Sequence, residues 1–500
     1  MPYLSLFTDQ IDATRQVVGR EFRLDELVGI YPLAETAETG PYLTICDQQL
    51  AGSLPWDESL PPVLLPRPLT YSSENLLALV FMHLGNWEKA YEYSQHDRSV
   101  ADALDLTNRL QQGVPVPLPT RPVNGVGTFG LYQGWHNRAV VLHYGYLDED
   151  VASDALEEAY QMAIRHSPDP THRAFTSKHF ATYLLDSGQL DEASRVLSTA
   201  LENPQTPETA RVDLLAVQYA VWLQQLTVPY DPALLDRTKA ALWTVLQTYE
   251  TEGRTLQTGL LLVDAAQVAN FQNSFAEALG YINRAIGIFR EEEAVELLAN
   301  AQYRKGVLLY TWAQHGSPQF YRPAMEAYQE ALKVFTQENA PAVFAEIQHH
   351  LGVIYSEVPD EAKKKSIWAA VSSSSFQQAL TYFTKEQFPY EYATICNHYA
   401  NALTKYPPAA RSDNYAKAIT YYREALRIRT AETYPYERAL TILNYLEAGW
   451  YVGEDDPGLQ RSLLNDLIRK AQEVETLVSD EPLLRQAQTQ LDRLQLVSLD

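Results

Sequence analysis

The chain has 500 residues, of which 46% are hydrophobic, and a formal net charge of -24 at pH 7. At ~100–200 residues per domain, that length allows two to four globular domains or one long repeat array, and the apolar content excludes a disordered chain. The acidity disfavours nucleic acid and anionic membrane as main partners, because phosphate binding needs clustered Lys and Arg.

Prolines mark where helices cannot run. Twelve of the 28 lie before residue 123, whereas Ala233 to Ser317 contains none. Residues 1–70 therefore read as an irregular N-terminal segment. Its start, "MPYLSLFTDQIDATRQ", has no basic n-region, so no signal peptide is expected. Asp9–Tyr31 has the pattern for one or two short helices. Gly40–Tyr71 is predicted to be extended, with at most a strand or hairpin around Leu43 to Cys46. Trp56 and the apolar run "PPVLLP" (Pro61–Pro66) are costly to leave in water, so residues 40–70 are expected to pack on the first helical units or along their groove. Cys46 and Cys396 are the only cysteines, too few for a disulfide framework, which suits a reducing cytoplasm. No run approaches ~18 uninterrupted apolar residues, so no membrane span is expected.

A helical unit follows at 72–97, with "LLALVFMHLGNWEKAYEY" placing Gly85 at an inter-helix turn and Trp87 and Ala90 on a second helix. "QGVPVPLPTRPVNGVG" (Gln112–Gly127) is an extended loop stiffened by proline. Helical units then run from 129 to 450. "HFATYLLDSGQLDEASRVLSTAL" puts Gly188, Leu190, Ala193 and Ala200 in the places matching the first unit. Farther on, three stretches starting at Tyr328, Phe376 and Tyr422 superimpose at offsets of 48 and 46 residues. Ala331, Ala379 and Ala425 coincide. So do Thr336, Thr384 and Thr430, then Pro341, Pro389 and Pro435, then Ala345, Ala393 and Ala439. A fixed period in this range signals a repeat architecture. The proline column belongs at the connection between units or in a first helical turn. The small residues Gly306, Gly352 and Ala400 allow close helix approach, and the Ala331 column is expected where two helices cross. "GEDDPG" (Gly453–Gly458) stops the array, and residues 453–500 form polar capping helices.

The two-helix units, with their glycine turns and aromatic–x–x–Ala–Leu phrasing, resemble the tetratricopeptide repeat. That resemblance covers 71–452 and implies an all-α fold, a right-handed α-solenoid of helical hairpins. Residues 280–450 resemble the extended arrays that sit beside CHAT-type proteases in bacteria, which implies a bacterial adaptor. In this family the first helices line a concave face, and their polar residues touch the ligand. The resemblance thus nominates His136, Asn137, Lys178, His179, His349, His350, Asn397, His398, Asn401, Lys405 and Asn444 as partner-binding residues. Asn397, Asn401 and Lys405 share one helix face by their spacing of four. Asn suits a peptide backbone because it both donates and accepts, and Lys405 suits a partner's carboxylate.

Other signals have a bland reading. Cys396 shares its register with Gln348 and Ile442, so that position performs no one reaction, and it reads as packing. "GVGTFG" (Gly125–Gly130) lacks the preceding strand of a dinucleotide site. "EAKKKS" (Glu361–Ser366) and "SSSS" (Ser372–Ser375) read as flanks of a solvated turn. No Walker loop, G-x-S-x-G, H-E-x-x-H or paired-cysteine zinc spacing occurs. The expectation is a non-enzymatic cytoplasmic scaffold for a protein or peptide, without metal, cofactor, nucleic acid or membrane. A ligand-sensing regulator and an enzyme with an unfamiliar site beside the N-terminal segment are the alternatives.

Overall fold

The computed structural model describes the chain except residues 1–3, 36–40, 57–59, 123–126, 147–152, 227–229, 409–412, 454–455 and 499–500. Parts of "GVGTFG" and "GEDDPG" lie outside the described residues. The chain divides into two compact units, Met1–Leu261 and Leu262–Asp500.

The first unit opens with a sheet, which corrects the irregular reading of residues 1–70. Its strands are β1 (Leu4–Thr8), β2 (Val28–Pro32), β3 (Tyr42–Cys46), β4 (Gln49–Gly52) and β5 (Leu69–Thr70), in the order β2-β1-β3-β4-β5. Strand β1 is parallel to both β2 and β3, and the remaining pairs are antiparallel. Helix α1 (Ile11–Val18) and a short 3-10 turn connect β1 to β2. Leu4, Leu6, Leu43, Ile45 and Leu50 are buried together with Val17 and Val18 of α1 and with the next helix, α2 (Ser73–His83). The chain excursion between β4 and β5 is long, and it leaves the sheet to reach the helices.

Helices fill the rest of this unit. They are α3 (Trp87–Ser94), α4 (Arg98–Gln112), α5 (Thr128–Tyr144), α6 (Ser153–His166), α7 (Pro170–Asp186), α8 (Leu190–Glu202), α9 (Glu208–Gln225) and α10 (Pro232–Glu252). Their starts follow sequence chemistry: Ser72, Asp97, Asp169 and Asp231 each accept a backbone N–H from the first turn, and Pro170 and Pro232 stand where no N–H is needed. Gly85 and Gly188 take φ of 71° and 73° at the predicted turns, a region that costs other residues energy. Helix α11 (Thr255–Phe271) carries the chain across the division.

The second unit holds α12 (Phe275–Glu291), α13 (Val295–Gln314), α14 (Tyr321–Ala331), α15 (Pro341–Glu357), α16 (Ala362–Tyr382), α17 (Pro389–Lys405), α18 (Asn414–Ile428) and α19 (Pro435–Gly449). The expected closing pair is α20 (Pro457–Leu477) and α21 (Glu481–Ser498). Helices α13 and α14, α15 and α16, and α17 and α18 pack as hairpins. The same connection is built three times. Carbonyls of Ala331, Ala379 and Ala425 accept the N–H four residues on at 3.0, 3.0 and 2.9 Å. Those of Thr336, Thr384 and Thr430 do so at 3.0, 2.9 and 3.1 Å. Pro341, Pro389 and Pro435 then open the next helix. The array is a mostly helical, tetratricopeptide-like set of hairpins with a small mixed sheet at its N-terminal end.

Packing within a hairpin turns on one small residue. A Cβ at Gly306 would stand 2.8 Å from the Tyr328 ring, and one at Gly352 would stand 3.0 Å from the Phe376 ring. Both rings are wholly buried, as are Ala331, Ala379 and Ala425. The extra length of the unit around residue 370 is taken up by helix. "KKKS" and "SSSS" sit inside α16 rather than beside a turn, and the Ser372 hydroxyl donates to the Gly352 carbonyl at 2.5 Å.

Gly352→Val should overpack this crossing and cost ~1–3 kcal/mol, read as a lower urea midpoint. Combining it with Phe376→Leu should recover part of the loss. An unchanged midpoint in the single variant would contradict the close approach.

Candidate functional site

All the nominated residues but Asn401, Lys405 and Asn444 fall into two columns of the first helices. Five hairpins have their small residue at Ala139, Ala181, Gly306, Gly352 and Ala400. Three positions earlier stand His136, Lys178, Tyr303, His349 and Asn397. Two positions earlier stand Asn137, His179, Arg304, His350 and His398. The small residue faces the partner helix, and at about 100° per residue the residue three positions earlier projects about 60° from that contact, while the residue two positions earlier points to the other side of the helix.

In the first unit these columns are occupied, and the occupant is the chain itself. The excursion between β4 and β5 lies across α5 and α7. Asn137 grips the main chain of Leu64 on both sides: its Oδ1 accepts the Leu64 N–H at 2.8 Å and its Nδ2 donates to the Leu64 carbonyl at 3.0 Å. Gln133 Nε2 donates to the same carbonyl at 2.9 Å. His136 Nε2 meets the Pro62 carbonyl at 2.9 Å, and its Nδ1 meets Thr176 Oγ1 at 2.9 Å. A carbonyl only accepts, so Nε2 carries the proton and Nδ1 accepts from the threonine. Lys178 Nζ donates to the Trp56 carbonyl at 2.9 Å, and the Trp56 ring packs edge-on against Phe175 at 5.1 Å. Arg67 closes the far end by donating to the Gly52 carbonyl at 3.1 Å, next to His172. Leu64 itself is buried against Tyr132, Trp135, Ala139 and Phe175.

Burial governs the histidines here. His136 is wholly buried, which pushes its pKa down to about 4. His143 is likewise lowered to about 4 by burial. His179 falls well below the usual range through burial and the nearby Lys178 charge; its Nδ1 bonds Tyr144 Oη at 3.0 Å, while Nε2 has no partner among the described residues.

The second unit holds its columns differently. Tyr303 donates to Glu346 at 2.7 Å. His349 Nε2 and His398 Nδ1 are 2.8 Å apart with their rings stacked, and His350 lies parallel to the Tyr328 ring at 5.6 Å. Burial lowers all three histidines, with His398 at about 4. Asn397 is buried and its Oδ1 meets no donor among the described residues. Asn401 Oδ1 accepts from the Tyr422 hydroxyl at 2.6 Å, and Asn444 is half-buried on α19.

This geometry gives several of the nominated residues contacts within the fold. The five first-helix histidines are each buried or half-buried and contact a neighbour within the fold. Lys405, expected to await a partner's carboxylate, already pairs with Glu357 at 2.8 Å. Asn137 and Lys178 do grip a peptide backbone, but it is their own chain's. Gln133 and the carbonyls of Pro62 and Leu64 were not nominated. The signal was present, since Gln133 lies four residues before Asn137 on the same helix face.

Cys396 is buried against Ala393 and Ala425, and burial pushes its thiol up to about 12, as a packing residue requires. Asp9, Cys46 and Asp47 form the one group of possible metal ligands that converges among the described residues. Burial and the Asp47 carboxylate raise the Cys46 thiol, so it holds its proton there.

No family model matches the chain, and no curated protein matches it. Solved structures do. The human IFIT1 dimer with PPP-AAAA is 18% identical, over 86% of this chain and 91% of that one, with a TM-score of 0.36. The P58(IPK) TPR domain is 14% identical, over 85% and 98%, at 0.24. Yeast Tom70 is 12% identical, over 85% and 96%, at 0.21. The likeness is one of fold alone.

The buried histidines set a pH dependence. Their folded pKa values lie below the ordinary 6.5, so the unfolded chain takes up protons first as pH falls. Their contribution is fully present above pH 6.5 and is lost between 6.5 and about 4, the value of His136, His143 and His398. Urea midpoints measured across that window should drop steeply, and His136→Gln should make the drop shallower. A flat profile down to pH 4.5 would contradict neutral buried histidines.

Proposed function

We propose that this chain is a non-catalytic binding scaffold that holds an extended segment of a protein partner against its first helices. The observation that carries the reading is the grip of Gln133, His136 and Asn137 on the Pro62 and Leu64 main chain. Those side chains contact backbone groups, which any extended peptide presents. Helical hairpins of this class mediate protein binding. The net charge of -24 favours a protein partner over nucleic acid. Among the described residues, no helix is long and apolar enough to cross a membrane. A bacterial cytoplasmic adaptor remains the setting that composition and repeat phrasing suit.

In the second unit the same two columns, from His349 and His350 to Asn397 and His398, are the proposed partner face, with Asn401 and Lys405 farther along α17. A cleft of about 490 Å³ opens at the C-terminal ends of α15 and α17, lined by Tyr355, Glu357, Trp368, Lys405 and Tyr406 among others. It offers aromatic walls and both signs of charge to a partner's side chain.

Affinity capture with the full chain, followed by quantitative binding of the captured protein, tests this. Glu346→Lys combined with Lys405→Glu changes two exposed charges, each with one partner, Tyr303 and Glu357, so the fold should survive at ~1 kcal/mol per site. Binding of the partner should weaken at least tenfold. Recovery of no protein partner, or undiminished binding by the folded double variant, would remove this reading.

A further inference from the structure

We infer that the α5–α7 face is a peptide-binding surface kept closed by the chain's own Leu60–Arg67 segment, and that a partner's extended, proline-flanked apolar segment binds there by replacing it. This rests on the reading of that face as a backbone grip and adds the class of ligand and the means of control.

Three observations carry it. First, the recognition is of main chain. One carbonyl at Pro62, and the N–H and carbonyl of Leu64 two residues later, satisfy His136, Asn137 and Gln133. A peptide that takes up the same conformation offers those groups at that spacing, so the face selects conformation, plus one apolar side chain where Leu64 is 3% exposed. Second, the polar groups of the face need an occupant. His136 is fully buried, and Lys178 is 4% exposed, with its ammonium donating to the Trp56 carbonyl. A strut that only covered apolar surface would not require buried imidazole, amide and ammonium groups, each costly without a partner. Third, the segment is able to lift without unravelling the sheet. It lies between β4 and β5, whose pairing at Gln49–Thr70 and Leu50–Leu69 is separate from the grip. A void of about 40 Å³ also remains against it, lined by the segment itself and by Met82, Thr107, Phe129 and His172 among others.

The segment's prolines, Pro61, Pro62 and Pro66, define the competitor. They restrict the chain before binding, and the segment holds a tight turn at Pro62 in which the Val63 N–H donates to the Pro61 carbonyl at 2.7 Å. A tethered segment has an effective concentration on the order of mM. A free peptide of equal intrinsic affinity therefore barely competes at micromolar concentration, and a partner succeeds only by binding more tightly or by engaging a second surface.

The test uses the full-length protein and a fluorescent peptide with the Leu60–Arg67 sequence. Unaltered protein should bind it weakly. Leu64→Asp, which places a charge in the buried apolar site and loosens the segment, should bind it at least tenfold more tightly. Adding Asn137→Ala to Leu64→Asp should return the affinity to the weak value. A Leu64→Asp protein that is folded by circular dichroism and binds no more tightly overturns the inference.

Amide hydrogen exchange on the unaltered protein provides a check that needs no variant. The Leu64 N–H should exchange at least a hundredfold faster than the paired amides of β1, through local lifting. Exchange as slow as those amides means that the segment leaves only on unfolding, and overturns the inference. Failure of the broader scaffold reading looks different: the peptide would bind the loosened face while no protein partner is captured.

Discussion

The close approach of two helices at a residue with almost no side chain is the constraint on which the rest depends. Gly306 and Gly352 lie under the Tyr328 and Phe376 rings with no room for a larger group, and Ala139 and Ala181 are buried in the corresponding places. An α-helix turns about 100° per residue, so once this residue faces its partner, the directions of its neighbours follow. The residue three positions earlier is placed beside the crossing, and the residue two positions earlier points away from it. That is why His136 and Asn137, Lys178 and His179, His349 and His350, and Asn397 and His398 occupy equivalent sites with different chemistry.

Placing polar side chains beside a packed crossing has a consequence. Most of them are desolvated and most find a partner, although Arg304 is exposed and His179 Nε2 and Asn397 Oδ1 meet none among the described residues. The two units answer this in different ways. In the first, main-chain groups of the β4–β5 excursion supply the partners, so a piece of chain that looks like a linker becomes part of the helical face. In the second, the side chains serve one another: His349 with His398, Tyr303 with Glu346, Asn401 with Tyr422. The neutral state of the histidines follows from the same burial.

Much of this was legible in the residues. The Thr336–Pro341 phrasing, repeated at Thr384 and Thr430, encodes a turn whose hydrogen bonds recur within 0.2 Å in all three copies. The glycine turns at Gly85 and Gly188, the proline helix starts and the closing helix pair also sit where they were expected. The N-terminal sheet was not legible. β1 is a short strand held on both sides by parallel neighbours, and its partners β2 and β3 are distant in sequence, so neither a tight turn nor a long alternating run announces it. The serine run of α16 misled for a related reason. Serine favours turns when exposed, but Ser372 is buried and spends its hydroxyl on the Gly352 carbonyl.

The sequence by itself determined the repeat, its hairpins, its small-residue crossings and the helices that carry the polar columns. These follow from spacing, and spacing is a local property of the chain. Only the tertiary structure decided what those columns touch. Asn137 and His136 could be assigned to a peptide-binding face from their register, yet nothing local says that the peptide is Leu60–Arg67 of the same chain. Likewise Lys405 reads as a waiting cation until Glu357, 48 residues earlier, is seen 2.8 Å away. Whether a polar group is free or satisfied depends on which distant groups folding brings to it, and a hydrogen bond between residues far apart in sequence leaves no periodic trace.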